Sequence, residues 1–302
     1  MKHKRNKVKK PSALVLGSEG LIGSHLVQEL GLKGFNVHEF DIRNNKTRQD
    51  LSKESSKKLL RSLMKKSDVV YFLAFDVGGA NYLEKHEHEY AFIENNISIM
   101  KNVFAEIKKQ NKLVIFTSTM MTKIPKSTYG LLKLLGERYV GSVDGISVQF
   151  WNIYGINYKH PDEKEKNHVM NDFAISALKN GKIETRTDGE ESRQFLHVKD
   201  ACSALIRLAN KQRHVKTWLK TNNLSAFEIS SGEWVKIKDL AKMFEKATKC
   251  KLIFAQKKDR VQKDAKIEPG FALKAFTDWK PTISLDVGVK EALSYYDTSF
   301  NR

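Results

Sequence analysis

A short apolar run that stops on a glycine-spaced turn and restarts as a helix leaves few folds open to this chain. Ala13-Leu14-Val15-Leu16 reads as a buried strand, and Gly17-Ser18-Glu19-Gly20 breaks it. Residues 21–32 then carry Leu21, Ile22, Leu26, Val27 and Leu30 at helical spacing. Gly17, Gly20 and Gly23 recur at intervals of three across that junction. Glycines there permit a tight turn and let the backbone approach a pyrophosphate, while the helix N-terminus offers unpaired N–H groups and a favourable dipole to the anion. The same alternation continues downstream. Strands are expected at 35–40, 68–72, 113–117 and 147–150, with helices at 52–66, 90–110 and 127–140. Five strand–helix alternations predict an α/β fold with a doubly wound parallel sheet and ligands at the carboxyl ends of its strands.

The pattern changes after about residue 155. A polar loop is expected over 158–166, helices over 169–179, 200–211 and 237–248, and a turn-rich connector over 185–193. The expected organisation is a basic, disordered tail at 1–11, a dinucleotide-binding domain at 12–155 whose sheet is completed by later segments, and a smaller substrate-binding lobe made mainly from 156–302. Of a net charge of +18, six positive charges fall in the first ten residues. Such a balance admits a nucleic acid, an anionic membrane or an anionic small substrate as partner, beside the plain reading of a solvated, lysine-rich surface. No run of eighteen apolar residues occurs, which speaks against a membrane span, and the tail lacks the apolar stretch of a secretory signal. The two cysteines, Cys202 and Cys250, form neither a metal-ligand spacing nor a disulfide framework, so a cytoplasmic location and no bound metal are expected.

The second strand ends at Phe40-Asp41, eighteen residues beyond Gly23. A carboxylate there accepts both adenosine ribose hydroxyls, which favours NAD, whereas the nearby Arg43 suits a 2′-phosphate and keeps NADP in view. Asp50-Leu51 lies within reach of the adenine on this reading, although Asp50 also suits an ordinary helix N-terminus. Tyr129 and Lys133 stand at i and i+4 on one helix face. A phenol is a poor proton donor or acceptor at neutral pH, and an ammonium beside it stabilises the phenolate, so the pair can move a proton while hydride moves to or from a nicotinamide. Thr119, at the carboxyl end of the fourth strand, offers a hydroxyl to the same reacting oxygen.

In this order the motifs resemble the extended short-chain dehydrogenase/reductases, specifically the nucleotide-sugar epimerase/dehydratase group. The likeness runs from about Ala13 to Tyr296. It rests on Gly17-Ser-Glu-Gly20-Leu-Ile-Gly23, Val70-Tyr-Phe-Leu-Ala74, Asn96, Phe116-Thr-Ser-Thr119, Tyr129 with Lys133, Phe150-Trp-Asn152-Ile-Tyr-Gly155, the stretch from Asp188 through Arg193 and His197 to Asp200, Ile229-Ser-Ser-Gly232, and Asp278-Trp279-Lys-Pro281. The resemblance implies a Rossmann-type sheet with NAD held by Gly17, Glu19, Gly20, Leu21, Ile22, Gly23, Asp41, Asp50 and Leu51. It extends that role to Leu73, Ala74, Asn96, Thr117, Tyr129 and Lys133. Thr119, Tyr129 and Lys133 would be catalytic, and Asn152, His168 and Arg193 would bind a nucleotide-diphosphate sugar, Arg193 through the diphosphate. It also implies a homodimer built on the helices at 90–110 and 127–140. His197, Trp234 and Trp279 read as structural, and Lys257, Lys258 and Arg260 as weak phosphate contacts.

Two departures narrow the activity. Relatives that remove water across C5 and C6 of a sugar carry Asp-Glu directly after the catalytic Thr, where this chain has Met120-Met121. Methionine cannot transfer a proton, so a 4,6-dehydratase is disfavoured. Val77-Gly78-Gly79 is similar to the GDP-sugar branch, whose 3,5-epimerases use a Cys at the position that Met121 matches; His168 lies where the epimerase-reductases place an acid histidine. Hydride transfer at C4 is what remains, as a 4-epimerase or as a 4-keto-sugar reductase. A retired dehydrogenase fold that binds nucleic acid is the reading of another class, and the intact glycine loop and Tyr–Lys pair count against it.

Overall fold

The computed structural model describes residues 10–124, 126–161, 168–259 and 279–300. Six parallel strands form the central sheet: β1 (Ser12–Leu16), β2 (Asn36–Phe40), β3 (Val69–Phe72), β4 (Leu113–Thr119), β5 (Ile146–Phe150) and β9 (Phe227–Ile229), in the order β2-β1-β3-β4-β5-β9. β1 takes β2 on one side, with Leu14 opposite His38, and β3 on the other, with Leu14 opposite Val70. The chain therefore changes direction after β2, which leaves a crevice beyond the carboxyl ends of β1 and β3.

Helices cover both faces because the inner strands are buried on both. Tyr71 and Val15 face a core layer shared with α1 (Leu21–Leu32), α7 (Val198–Asn210) and α8 (Gln212–Thr221). Leu14, Val70 and Phe116 face a second layer shared with α2 (Lys57–Lys66), α4 (Tyr90–Gln110) and α5 (Thr128–Ser142). β1 and β3 expose no face to water, so they read as unbroken apolar runs rather than as alternating ones. The sheet is parallel and doubly wound throughout.

A third core belongs to the second lobe. It gathers Tyr154 of β6 (Asn152–Tyr154), Phe173 of α6 (Val169–Asn180), Ile183 of β7 (Lys182–Glu184), Phe195 of β8 (Ser192–His197), Phe244 of α9 (Ile237–Thr248) and Tyr296 of α10 (Leu285–Phe300). β8 lies between β6 and β10 (Trp234–Lys236), and β7 pairs with β11 (Lys251–Ile253).

The chain departs from the expected plan at three places. The helix expected at 200–211 does not belong to the smaller lobe; as α7 it packs on α1 against the sheet, because Ala201, Leu205 and Leu208 complete that apolar layer. The helix expected from residue 52 begins only at Lys57, after a single 3₁₀ turn, since the Asp50 carboxylate accepts from the backbone N–H and hydroxyl of Ser52 at 2.9 and 2.6 Å and holds a non-helical turn. A short helix, α3 (Ala80–His86), buries no residue and so carried no apolar period to read. The expected tail lies outside the described residues except for Lys10 and Pro11, and so do Arg260 and most of the polar loop after Pro161.

Candidate active site

A cavity of about 610 Å³ opens in the crevice beyond β1, β3 and β4, bounded on its far side by β6 and the start of α6. At one end is the glycine loop. Gly17 adopts φ +88°, and a Cβ there would stand 2.7 Å from the backbone nitrogen of Ala74. Gly23 lets α1 pack onto the loop, because its Cβ would fall 1.9 Å from the Gly17 carbonyl oxygen. Gly20 is the N-cap of α1 and brings no side-chain oxygen, so the first-turn amides of α1 have no side-chain cap where the helix meets the cavity wall. That is the arrangement a pyrophosphate requires. Leu21 and Ile22 share this wall.

Asp41 follows β2 and is buried. Its Oδ2 accepts from the Glu19 amide at 3.0 Å and its Oδ1 from the Arg43 amide at 2.9 Å, and Gln49 Oε1 accepts from the Asp41 amide at 2.8 Å. The carboxylate is thus fixed at the cavity wall beside Asp50 and Leu51, while Arg43 donates to the Glu19 carbonyl at 3.2 Å. These residues fit the adenosine half of NAD.

At the other end Leu73, Ala74 and Phe75 continue from β3, and Thr117 and Thr119 from β4. Thr119 caps a short 3₁₀ turn over Met120–Lys123, its hydroxyl accepting from the Met121 amide at 3.2 Å. Ser127 caps α5 by accepting from the Gly130 amide at 3.0 Å, which starts the helix so that Tyr129 projects to the cavity. Burial holds the Tyr129 phenol well above its ordinary range, and the nearby Thr119 hydroxyl opposes this only in part. One turn along, Lys133 is buried beneath the wall rather than on it. Its Nζ donates to the Thr117 carbonyl at 2.8 Å and lies 3.9 Å from the centre of the Phe75 ring. Burial pushes the ammonium down to about 7, against the opposing pull of Glu137. The Nζ is 5.9 Å from the Tyr129 ring centre, so the pair shares one helix face, yet burial outweighs the expected lowering of the phenol.

Three further expected positions lie off the cavity wall, among the described residues. Glu19 turns its carboxylate to Lys159, at 2.5 Å, and His160, at 3.0 Å, so only its backbone belongs to the loop that would meet the cofactor. Asn96 is fully buried in α4, where it accepts from the Asp76 amide at 2.7 Å and donates to the carbonyls of Asp76 and Phe92; it holds the segment after β3 instead of lining the site. Arg193 pairs with Asp259 and donates to the Ser192 carbonyl at 2.8 Å. By contrast, Asn152 and His168 do reach the wall, as does Met121. His197 is buried at the start of α7, bonded to Glu291 at 2.7 Å and accepting from the Lys199 amide; Trp279 donates to Ser203, and Trp234 packs edge-on against Trp151. Lys257 pairs with Glu84 of α3.

Sequence reasoning missed Phe75, Asp76, Trp151 and Asn171 on the wall. Phe75 stands edge-on to Tyr129 at 5.8 Å and covers Lys133. The only signal for it was its place just beyond an apolar strand in a sheet of this kind. Among the described residues no cluster of His, Cys, Asp and Glu is arranged to hold a metal ion, and no helix is long and apolar enough to cross a membrane.

The sequence pattern of the NAD dependent epimerase/dehydratase family matches residues 13–218. The chain belongs to this family. Two curated members give the range of likeness. A UDP-N-acetyl-alpha-D-glucosaminuronate decarboxylase of Bacillus cytotoxicus is 27% identical over 234 residues, covering 65% of this chain and 70% of the relative. A UDP-glucose 4-epimerase of Rhizobium leguminosarum bv. trifolii is 22% identical over 280 residues, covering 78% and 82%. Among solved structures, the UDP-glucose 4-epimerase of Thermotoga maritima, with UDP-glucose, superposes with a TM-score of 0.76 at 20% identity over 96% of this chain and 99% of that one, which is a likeness of fold. As a member of the epimerase/dehydratase family the protein is an NAD-dependent enzyme whose relatives act on sugar nucleotides.

Proposed function

We propose that this enzyme exchanges hydride between C4 of a nucleotide-diphosphate sugar and its cofactor, as a 4-epimerase. The observation that carries the reading is the set at the carboxyl end of β4. Thr119 and Tyr129 share the cavity wall, Lys133 lies beneath them, and the two residues after Thr119 are Met120, buried, and Met121, on the wall. Tyr129 and Thr119 can take the proton of a secondary alcohol, and neither methionine can take one from carbon. When bound, NAD supplies a hydride acceptor that returns what it takes. Asp41 and Asp50 would hold its adenosine, the Gly17–Gly23 turn its pyrophosphate, and Thr117 and Ala74 its nicotinamide end. Asn152 and His168 stand where the sugar nucleotide would enter the second lobe.

Arg43 beside Asp41 supports a second reading, a 4-keto-sugar reductase that consumes reduced cofactor, since a guanidinium at the adenosine end suits a 2′-phosphate. A homodimer belongs to the same proposal. Leu131 and Leu135 on α5 and Tyr90 at the start of α4 are 51%, 40% and 79% exposed, an apolar surface on the two helices that would pair; a monomer mass by light scattering at micromolar concentration sinks this part.

The test is proton NMR of nucleotide sugars and their 4-keto derivatives incubated with enzyme and NAD or NADPH in D₂O. Interconversion of C4 epimers with no deuterium uptake is the expected result. Deuterium at C3 or C5 would mean proton abstraction from carbon and would overturn the proposal. Stoichiometric loss of reduced cofactor with a 4-keto sugar would establish the reductase instead.

A further inference from the structure

One ionisable group beneath the site has no part in the chemistry described so far. Glu137 is 2% exposed, one turn beyond Lys133 on α5, so Tyr129, Lys133 and Glu137 follow at i, i+4 and i+8 along one face of the helix. Its carboxylate accepts from three donors. Ser118 Oγ donates at 2.5 Å, Gln149 Nε2 at 2.7 Å and Ser225 Oγ at 3.1 Å. A carboxylate has acceptor sites for all three. The donors come from β4, from β5 and from the segment before β9, so the carboxylate ties three neighbouring parts of the sheet edge to the catalytic helix. Ser118 lies between Thr117, whose carbonyl accepts from Lys133, and Thr119, which shares the cavity wall with Tyr129.

The three donors are neutral. Among the described residues no cation is paired with this carboxylate, and in surroundings of low polarity its charge carries beyond its hydrogen-bond partners. Lys133 stands one turn away on the same face of α5. Around it, α5 presents Tyr129 and Glu137; β4 and the segment after β3 present the Thr117 carbonyl and the Phe116 and Phe75 rings, at 4.8 and 3.9 Å from the ammonium. Asp76, next to Phe75, is held by Tyr82 at 2.7 Å and Asn95 at 3.1 Å. Beyond Gln149 on the neighbouring strand, Glu228 is paired with Lys123. The amine is buried, and loss of water favours its uncharged form. Glu137 is the one anion on this face of α5 that works against that.

We infer that Glu137 is a positioning residue of the hydride-transfer site: its buried charge favours the ammonium form of Lys133 beneath the rings of Phe75 and Phe116, and its bond to Ser118 fixes the end of β4 that carries Thr117 and Thr119. The inference rests on the reading of Tyr129 and Lys133 as the proton-moving pair. Loss of the charge deprotonates Lys133 at a lower pH, after which no ammonium remains to stabilise the Tyr129 phenolate.

The test does not depend on the substrate. Lysine labelled with ¹³C at Cε is incorporated into the full chain, the Lys133 signal is assigned by its loss in Lys133→Met, and its titration is followed by NMR. In Glu137→Gln, which keeps the shape and loses the charge, the Lys133 midpoint falls by about one pH unit. Glu137→Asp, which keeps the charge and retracts it by one methylene, moves the midpoint part of the way and serves if the glutamine variant fails to fold. An unchanged midpoint in a folded variant, even with a lowered melting temperature, would overturn the assignment and leave Glu137 a structural residue. Turnover of whichever nucleotide sugar proves active, compared at pH 6 and 8, supplies the second arm: the glutamine variant loses about twofold at pH 6 and about tenfold at pH 8, with KM little changed. A shifted midpoint in a protein that turns over none of the sugars would sink the hydride-transfer reading and leave the charge assignment standing.

Discussion

The proposed chemistry turns on single atoms, and the first of them is the Tyr129 oxygen. Tyr129→Phe removes one hydroxyl from a ring already packed edge-on against Phe75. The fold and NAD binding are therefore expected to persist, while turnover falls by about 10²- to 10⁴-fold. Cofactor retention by absorbance and rates from the same preparation check this together; loss of both would mean that the ring itself had been displaced. Lys133 makes a prediction about stability. Its amine titrates at about 7 in the fold and at the ordinary lysine value when unfolded. Between those values the unfolded chain binds the extra proton, so this residue's contribution to stability rises with pH from about 7 upward and is most unfavourable below that. In Lys133→Met the slope of stability against pH over that window should flatten, as read by urea denaturation from pH 6.5 to 9. An identical slope in the variant would show that Lys133 is not the group responsible. The i, i+4 spacing made both residues legible in the sequence. Their depth was not, because it depends on Phe75 and Phe116, which belong to other elements.

Elements carry the next level. Most of the sheet was legible because its strands are buried on both faces and announce themselves as apolar runs between glycines. Short pieces such as β6, β7, β10 and β11 were not, since three residues hold no period. Asn96 shows the same limit at the site. Its position in a family pattern pointed to the cofactor, yet its amide is spent on the backbone of Asp76 and Phe92, a role set by the segment after β3 folding back across α4. Asn96→Leu leaves the Asp76 amide without its partner and should cost about 1–3 kcal/mol, measured as a lower urea midpoint at constant slope. A variant as stable as the parent would mean that the segment finds other partners. At the glycine loop, Gly23→Ala drives a methyl group into the Gly17 carbonyl, so α1 must shift away. NAD affinity is expected to fall more than stability does, because the amides that would meet the pyrophosphate ride on that helix; calorimetric titration with NAD tests it, and an unaltered affinity counts against the placement of the cofactor.

At the scale of the whole molecule, the two lobes meet through charged contacts that no local pattern foretold. Glu291 of α10 accepts from His197 at the start of α7, a bond that holds its carboxyl down at about 2. Its unfolded value lies near that of a free carboxylate, so the stability it contributes is complete above about pH 4.5 and is lost as pH falls toward 2. Glu291→Gln should therefore lower the melting temperature at neutral pH and converge with the parent in strong acid. Curves that stay parallel throughout would rule out this pair as the source. Asp200 makes a second join, accepting from the Thr282 amide and hydroxyl and from the Ile283 amide.

These joins bear on the path of the chain. After β5 it enters the second lobe through β6, α6, β7 and β8, returns to the sheet as α7, α8 and β9, and leaves again for β10, α9, β11 and finally α10. The half that would choose the sugar is thus threaded through the half that would hold the cofactor, in two separate excursions. It cannot be exchanged as a cassette. Recombination between relatives at a single crossover would join one protein's sheet to another's edge strand, so new specificities on this scaffold must arise by point changes along the cavity wall or by transplanting two loops of sequence in concert.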